Sequence, residues 1–322
     1  MLHGSIGRGT LRNYTSGLKK FIEFLSKTKI DVPAPLCSTS AQLRFFISLP
    51  GVIESFICFC FQQNLCAKST GGYIDGLKYF STDLEGIPFF PHEPVISRLL
   101  TGFQKMGKRP GPPSLGIDVL LLRRIITHVD SMDLGADTAL WKCMFSIAFF
   151  GAFRVSEFLV SDDELKLLSF NRVRLVANNM VEFALIKTKN NSNGPVQQVL
   201  FAPLPGDIAC PVRALLIFLS VRTASTGDKA FFIDKSGIVV TPERFNSVLR
   251  RILTSLEILE PERYTAKSFR IGAASMAYSL NMSVEDIQAL GRWASSAFLY
   301  YVRSGARAIR VCSIHKKLAA VV

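Results

Sequence analysis

A phosphodiester can be opened by a tyrosine hydroxyl while arginines hold its oxygens, and the residue types for that chemistry crowd the last quarter of this chain. The stretch Tyr264 to Arg303 reads YTAKSFRIGAASMAYSLNMSVEDIQALGRWASSAFLYYVR. It holds Lys267 and Arg270, a run of small residues, Gly291-Arg292-Trp293, and the adjacent Tyr300 and Tyr301. Arg154 and the pair Lys187 and Lys189 stand upstream. Two guanidinium groups can grip non-bridging oxygens bidentately, which lysine does poorly. A phenol titrates near pH 10, and cations beside it lower that value. Its attack on phosphorus leaves a covalent phosphotyrosine and a departing alkoxide, which a lysine can protonate as general acid. Phosphoryl transfer of this kind asks for in-line positioning and charge stabilisation. The set calls for no metal and no cofactor.

The elements that must position these groups follow from pattern. Leu11, Tyr14, Leu18, Phe21 and Leu25 recur at helical spacing and predict a helix over 10–26. Further helices are expected over 40–46, 51–63, 67–80 and 94–106, with Pro33 and Pro35 before the first and Pro88 and Pro91 before the last. GKRPGPPSLGI, with its glycines and prolines, reads as a linker. Helices over 118–128 and 135–150 come next, the second strongly apolar. GAFRVSEFL follows it, with Gly151 ending the helix and Arg154 three residues before Glu157. A plain Arg154–Glu157 ion pair is the competing structural explanation for that arginine.

Strands are expected over 173–177, 180–187 and 196–201, the first two joined by Asn178-Asn179. The second and third form a hairpin whose tip carries Lys187 and Lys189; solvated turn lysines are the bland alternative. Cys210-Pro211 opens a helix and Thr241 starts another. Residues 231–240 read as short strand or turn. Lys267 and Arg270 open the next helix, whose N-terminus adds positive potential near an anion. Its Gly272, Ala273, Ala274, Ser275 and Ala277 allow close packing. Ser283 and Asp286 form a weak capping box, Gly291 closes that helix, and 297–303 form a short final helix bearing the tyrosines.

The expected class is therefore mainly α (α+β). A small all-helical domain spans 1–108, a linker 109–117, and a mostly helical domain with a small antiparallel β-sheet 118–322. The formal net charge is +13. Up to Pro110 there are 13 basic and 7 acidic residues, and beyond it 25 and 18. Both halves being basic points to a polyanion that touches both, nucleic acid above all; a merely soluble basic protein is the alternative. The seven cysteines form no CxxC pair and most sit in apolar surroundings, which favours free buried thiols in a reducing compartment. Four histidines without ligand spacing argue against a zinc site. No apolar run reaches transmembrane length, and the first residues show no signal-peptide pattern.

Singly these signals are weak; their order is specific. GAFRVSEFL, IKTKN, KSFRIGAAS and LGRWASSAFLYYVR together resemble the boxes of the tyrosine recombinase (phage integrase) family. The resemblance implies Arg154 as first catalytic arginine, Lys187 rather than Lys189 as the hairpin lysine, and Arg270 as second arginine. Tyr301-Val302-Arg303 is similar to the family's Tyr-hydrophobic-Arg ending, which makes Tyr301 the nucleophile and Tyr300 a neighbour. Two departures stand out. Lys267 occupies the usual His position. Trp293, at the family's His/Trp position, lies eight residues before Tyr301 where nine is common; Arg292 meets that spacing, so either could border the phosphate. GRW and KSFRIGAA are similar to recombinases of eukaryotic DIRS-type and Crypton-type mobile elements.

The resemblance implies a core-binding domain over 1–108 and a catalytic domain over 118–322. The two would clamp double-stranded DNA, and four protomers would synapse two sites as a homotetramer. No membrane and no small-molecule substrate are implied. The location would be the nucleus of a eukaryotic cell, or otherwise the cytoplasm. The segment from Arg303 to Val322 would dock on a neighbouring protomer or fold back on its own domain. Three other readings compete: a DNA-binding descendant without catalysis, a type IB topoisomerase-like enzyme, and an interaction scaffold with incidental charge. The joint presence of Arg154, Lys187, Arg270 and Tyr301 argues against the first, and the small helical first domain against the second.

Overall fold

The computed structural model describes residues 6–28, 40–82, 90, 93–106, 112–132, 135–159, 168–185, 196–222 and 230–319. It divides into two compact units, Met1–Gly111 and Pro112–Val322.

The first unit is helical in its described residues: α1 (Arg8–Lys27), α2 (Ser40–Ser48), α3 (Val52–Gln62), α4 (Ala67–Phe80) and α5 (Glu93–Met106). The apolar stripe of α1 puts Phe21, Phe24 and Leu25 into a core with Ile53, Phe56 and Ile57 of α3. Phe21 and Phe56 meet edge-on at 5.2 Å, an arrangement the ring quadrupoles favour. Helices α1 and α4 touch backbone to backbone. A Cβ on Gly17 would lie 2.7 Å from Tyr73 Cα, and one on Gly76 2.8 Å from Tyr14 Cα. Among the described residues no single helix is long and apolar enough to cross a membrane.

The second unit is built around α7 (Thr138–Phe150). This helix is apolar on nearly every side because it is buried on nearly every side, from Leu140 and Trp141 to Phe149. It packs against α6 (Val119–Ser131), α9 (Pro211–Val221) and α11 (Ala266–Ser279). Phe145 stacks on Phe269 of α11 at 5.6 Å. The four-residue α8 (Val155–Phe158) follows α7. Three short strands then form one antiparallel sheet in the order β1 (Val173–Val176), β2 (Met180–Leu185), β3 (Gln197–Phe201). Val173 pairs with Phe183, which pairs in turn with Val199. Val181, Phe183 and Leu185 face the core, as the alternation requires. Asn178 and Asn179 both take left-handed φ, 59° and 55°, which suits a tight hairpin turn. The remaining helices are α10 (Pro242–Ser255), α12 (Val284–Gly291) and α13 (Ser304–Ala319). The expected class, mainly α with a small antiparallel sheet, is the one observed.

Several local expectations change. Residues 231–240 contribute only an isolated bridge, Ile233 to Val239. Of the expected linker, 107–111 lie outside the described residues. Residues 113–117 form a strap fastened to the second unit: Leu115 N–H donates to Arg263 O, Ile117 N–H to Ser268 O, and Arg263 to Pro113 O. The small residues of α11 serve this contact, since a Cβ on Gly272 would sit 1.6 Å from Ile117 O. The left-handed residue ending α12 is Arg292 (φ 55°, ψ 47°), with Gly291 still inside the helix. The tyrosines sit at the end of a 3₁₀ turn, Ser296–Tyr300, and α13 follows them. That last helix packs on α11 of its own unit, where Asn281 donates to Ser313 Oγ at 2.8 Å. The six described cysteines are all free, three buried (Cys60, Cys143, Cys210) and three exposed. Burial in apolar surroundings is thus half the case, not most of it.

Candidate active site

Arg154 is the N-cap residue of α8, and Glu157 reaches back to it in a capping box. Glu157 Oε2 accepts from Arg154 N–H at 2.9 Å, and Oε1 from Arg154 Nη1 at 2.6 Å. The ion pair foreseen as an alternative exists, but it has a third member. Arg292 Nη2 donates to Glu157 Oε2 at 2.7 Å. The carboxylate is buried, which raises its pKa; Arg292 and Arg154 outweigh that and hold it below the usual carboxylate range.

Arg292 and Trp293 diverge because of the left-handed turn at Arg292. The Arg292 guanidinium points back to the end of α7, donating to Gly151 O at 2.9 Å and Leu290 O at 3.2 Å. Its Cζ lies 5.1 Å from the Phe153 ring centroid. The indole of Trp293 instead folds back over Gly291, where a Cβ would come within 1.8 Å of the ring. That gives Gly-Arg-Trp a local reason at each position.

Arg270 projects from the second turn of α11 and is only 1% exposed. Its Nη1 donates to Ala152 O, and its Nη2 to Gly291 O at 2.6 Å. Its Cζ stands 4.0 Å from the Trp293 ring centroid and 5.3 Å from that of Tyr301. The Trp293 and Tyr301 rings are 5.4 Å apart. Lys267, in the first turn of α11, holds its Nζ 5.5 Å from the Tyr301 ring. Tyr300 points away and is 87% exposed.

Four of the candidates, Lys267, Arg270, Trp293 and Tyr301, therefore form one cluster, and Arg154 joins it through Glu157 and Arg292. Lys187 and Lys189 lie outside the described residues. Gln197 and Gln198 at the start of β3 line an open cavity of about 400 Å³ with Arg292 and Trp293, which brings this end of the sheet beside the indole. Sequence reasoning missed Glu157 as the hub of two arginines; the signal was its position three residues after Arg154. It named Ser275 only as a packing residue and Arg303 only as the end of the Tyr-Val-Arg sequence, and left out the Ser114 carbonyl that Arg303 binds.

The electrostatics are lopsided. Arg154 and Arg292 share the Glu157 carboxylate, while Arg270 bonds main-chain carbonyls. Burial and the neighbouring Arg154 pull the Arg270 pKa down to about 10, against the opposing effect of Glu157. Arg270 Nε, Arg292 Nε and Trp293 Nε1 are buried donors without a hydrogen-bond partner. Unpartnered buried donors and unbalanced charge are both costly, and an anion would relieve both. The Trp293 and Tyr301 rings lie against Arg270.

No family model matches the sequence, and no curated protein matches it. Solved structures do. The chain is similar to XerH site-specific recombinase in a pre-cleavage complex with its difH substrate: TM-score 0.58, 15% identity, 90% of this chain and 76% of that one. It is also similar to the Tn1549 transposon integrase in complex with transposon right end DNA: TM-score 0.60, 12% identity, 98% and 96% of the two chains. The fold is that of the tyrosine recombinases.

Proposed function

We propose that this chain is a site-specific DNA recombinase or integrase that cuts and rejoins strands through a covalent 3′-phosphotyrosine. One observation carries the reading. Arg154 and Arg292 share the buried Glu157 carboxylate, buried Arg270 stands beside them, the Nε atoms of Arg270 and Arg292 and the Trp293 Nε1 are unpartnered, and the ring over Arg270 is that of Tyr301. The structural neighbours described above are recombinases and integrases bound to DNA, which supports double-stranded DNA as the partner. The basic charge of both halves agrees with it.

In this reading Tyr301 Oη attacks phosphorus while the bond to the 5′-oxygen breaks. The phenolic proton passes to solvent water, and the departing oxygen takes one from the hairpin lysine, Lys187. Arg154 and Arg270 stabilise the charge on the non-bridging oxygens. Their scaffold contacts leave further N–H groups for that purpose, since a guanidinium has five. Lys267 supplies positive charge beside the phenolate, and the Trp293 indole N–H completes the anion's partners. A partner strand's 5′-hydroxyl then reverses the step, which calls for a homotetramer across two sites. The KSFRIGAA and GRW sequences support an origin in a eukaryotic mobile element.

The test is covalent capture. Wild-type protein is incubated with nicked duplexes of randomised core sequence, and the trapped adduct is mapped by mass spectrometry. The expected adduct is on Tyr301; Tyr301→Phe abolishes it and Tyr300→Phe does not. The reverse pattern overturns the assignment of the nucleophile. Sequence-selective duplex binding without any adduct would favour a non-catalytic DNA-binding protein, a reading that the coverage of Arg270 by Tyr301 keeps in play.

A further inference from the structure

The backbone that carries Tyr301 is fastened on both sides. Ser275, on α11, donates its hydroxyl to Tyr301 O at 3.2 Å and accepts from Arg303 N–H at 3.1 Å. The Arg303 side chain then turns back. Its Nε and Nη2 donate to Ser114 O at 3.0 and 2.8 Å, and its Nη1 to Tyr300 O at 3.1 Å. Phe298 and Val302, before and after the tyrosine, are buried in a small core with Trp293. The guanidinium spends its hydrogen bonds on main-chain carbonyls of two segments, an arrangement that fixes backbone more than it balances charge.

Ser114 is itself held. It belongs to the strap 113–117, which is tied to Arg263 and Ser268 and pressed on Gly272. The Tyr301 backbone is thus connected through one arginine to the segment by which the chain enters the second unit.

We propose that Ser275 and Arg303 are positioning residues for the nucleophile: with the Ser114 carbonyl they latch Tyr301 over its own protomer's arginines, and the strap sets the latch. The proposal rests on the reading of Tyr301 as nucleophile. Serine suits its place because one hydroxyl must both donate and accept. Threonine can do the same at this half-buried position and alanine cannot.

The experiment uses the full chain and duplexes captured by the wild type, with a second readout that needs no catalysis. In Ser275→Ala and Arg303→Ala, single-turnover adduct formation is expected to slow at least tenfold, with duplex affinity within about twofold of wild type. Ser275→Thr restores the rate to within about threefold. Amide hydrogen exchange at 300–304 rises at least tenfold in both alanine variants while α7 is unchanged. A mixture of Tyr301→Phe and Arg154→Lys protomers forms no adduct. Wild-type rate and exchange in both alanine variants would overturn the latch, and an adduct from the mixture would overturn its action within one protomer. If Arg303→Ala fails to fold, the Ser275 pair decides. If the wild type captures no duplex, the recombinase reading fails, and exchange alone decides the latch: faster exchange supports it and unchanged exchange overturns it.

Discussion

One oxygen of Glu157 holds Arg154 at 2.6 Å and the other holds Arg292 at 2.7 Å. A single carboxylate thereby joins the start of α8 to the end of α12, two elements more than a hundred residues apart in sequence. Neither arginine can move without the other feeling it through this group.

Glu157→Gln removes the charge and keeps the shape. Breaking a buried ion pair from one side costs about 3–5 kcal/mol, so urea unfolding should show a loss of that order. Adduct formation should fall with it, because Arg154 loses the partner that orients it.

The same carboxylate makes a pH prediction. Its pKa is lower in the folded chain than in the unfolded one. Its contribution is therefore complete above the unfolded value, about 4.3, and is lost as the pH falls through the folded value. The Tm gap between wild type and Glu157→Gln should be constant from about pH 6 to 8 and begin to close only as the pH falls below about 4.3.

Gly291→Ala should dislodge Trp293, since the new Cβ would meet the indole at 1.8 Å. Overpacking of this kind costs about 1–3 kcal/mol. In a Trp141→Phe background, where Trp293 is the one remaining tryptophan, its emission should shift to the red as the ring leaves Arg270.

Gly272→Ala tests the strap. A Cβ there would stand 1.6 Å from Ile117 O, so α11 and the strap must separate. The expected result is a stability loss of about 3 kcal/mol or more and faster amide exchange at Leu115 and Ile117, read by mass spectrometry.

Lys267→His should keep adduct formation if that position serves to place a proton-exchanging group beside Tyr301. The rate should then rise between about pH 6 and 7 as the imidazole loses its proton. An inactive variant at every pH would mean that a permanent cation is required there.

Much of this was legible from residue order. The apolar stripe of α1, the all-apolar α7 and the alternation in β2 announced their elements because each is periodic along one segment. Arg270, Trp293 and Tyr301 were legible as a group through the spacing of K-x-x-R, G-R-W and Tyr. The roles of Arg292 and Trp293 were not, because they depend on one left-handed residue, and an arginine at φ 55° has no signature. The strap was hidden for a related reason. GKRPGPPSLGI has linker composition, and its attachment depends on Gly272, some hundred and sixty residues away. Helix α13 was missed because Ile309 and Val311, both exposed, lend it no clear buried stripe.

Arg270, Arg292 and Arg303 donate most of their hydrogen bonds to carbonyl oxygens of the main chain, at Gly151, Ala152, Leu290, Gly291, Ser114 and Tyr300. A carbonyl is present whatever side chain its residue bears. The residues around the arginines are therefore free to drift over generations without erasing the frame, as long as the backbone path persists.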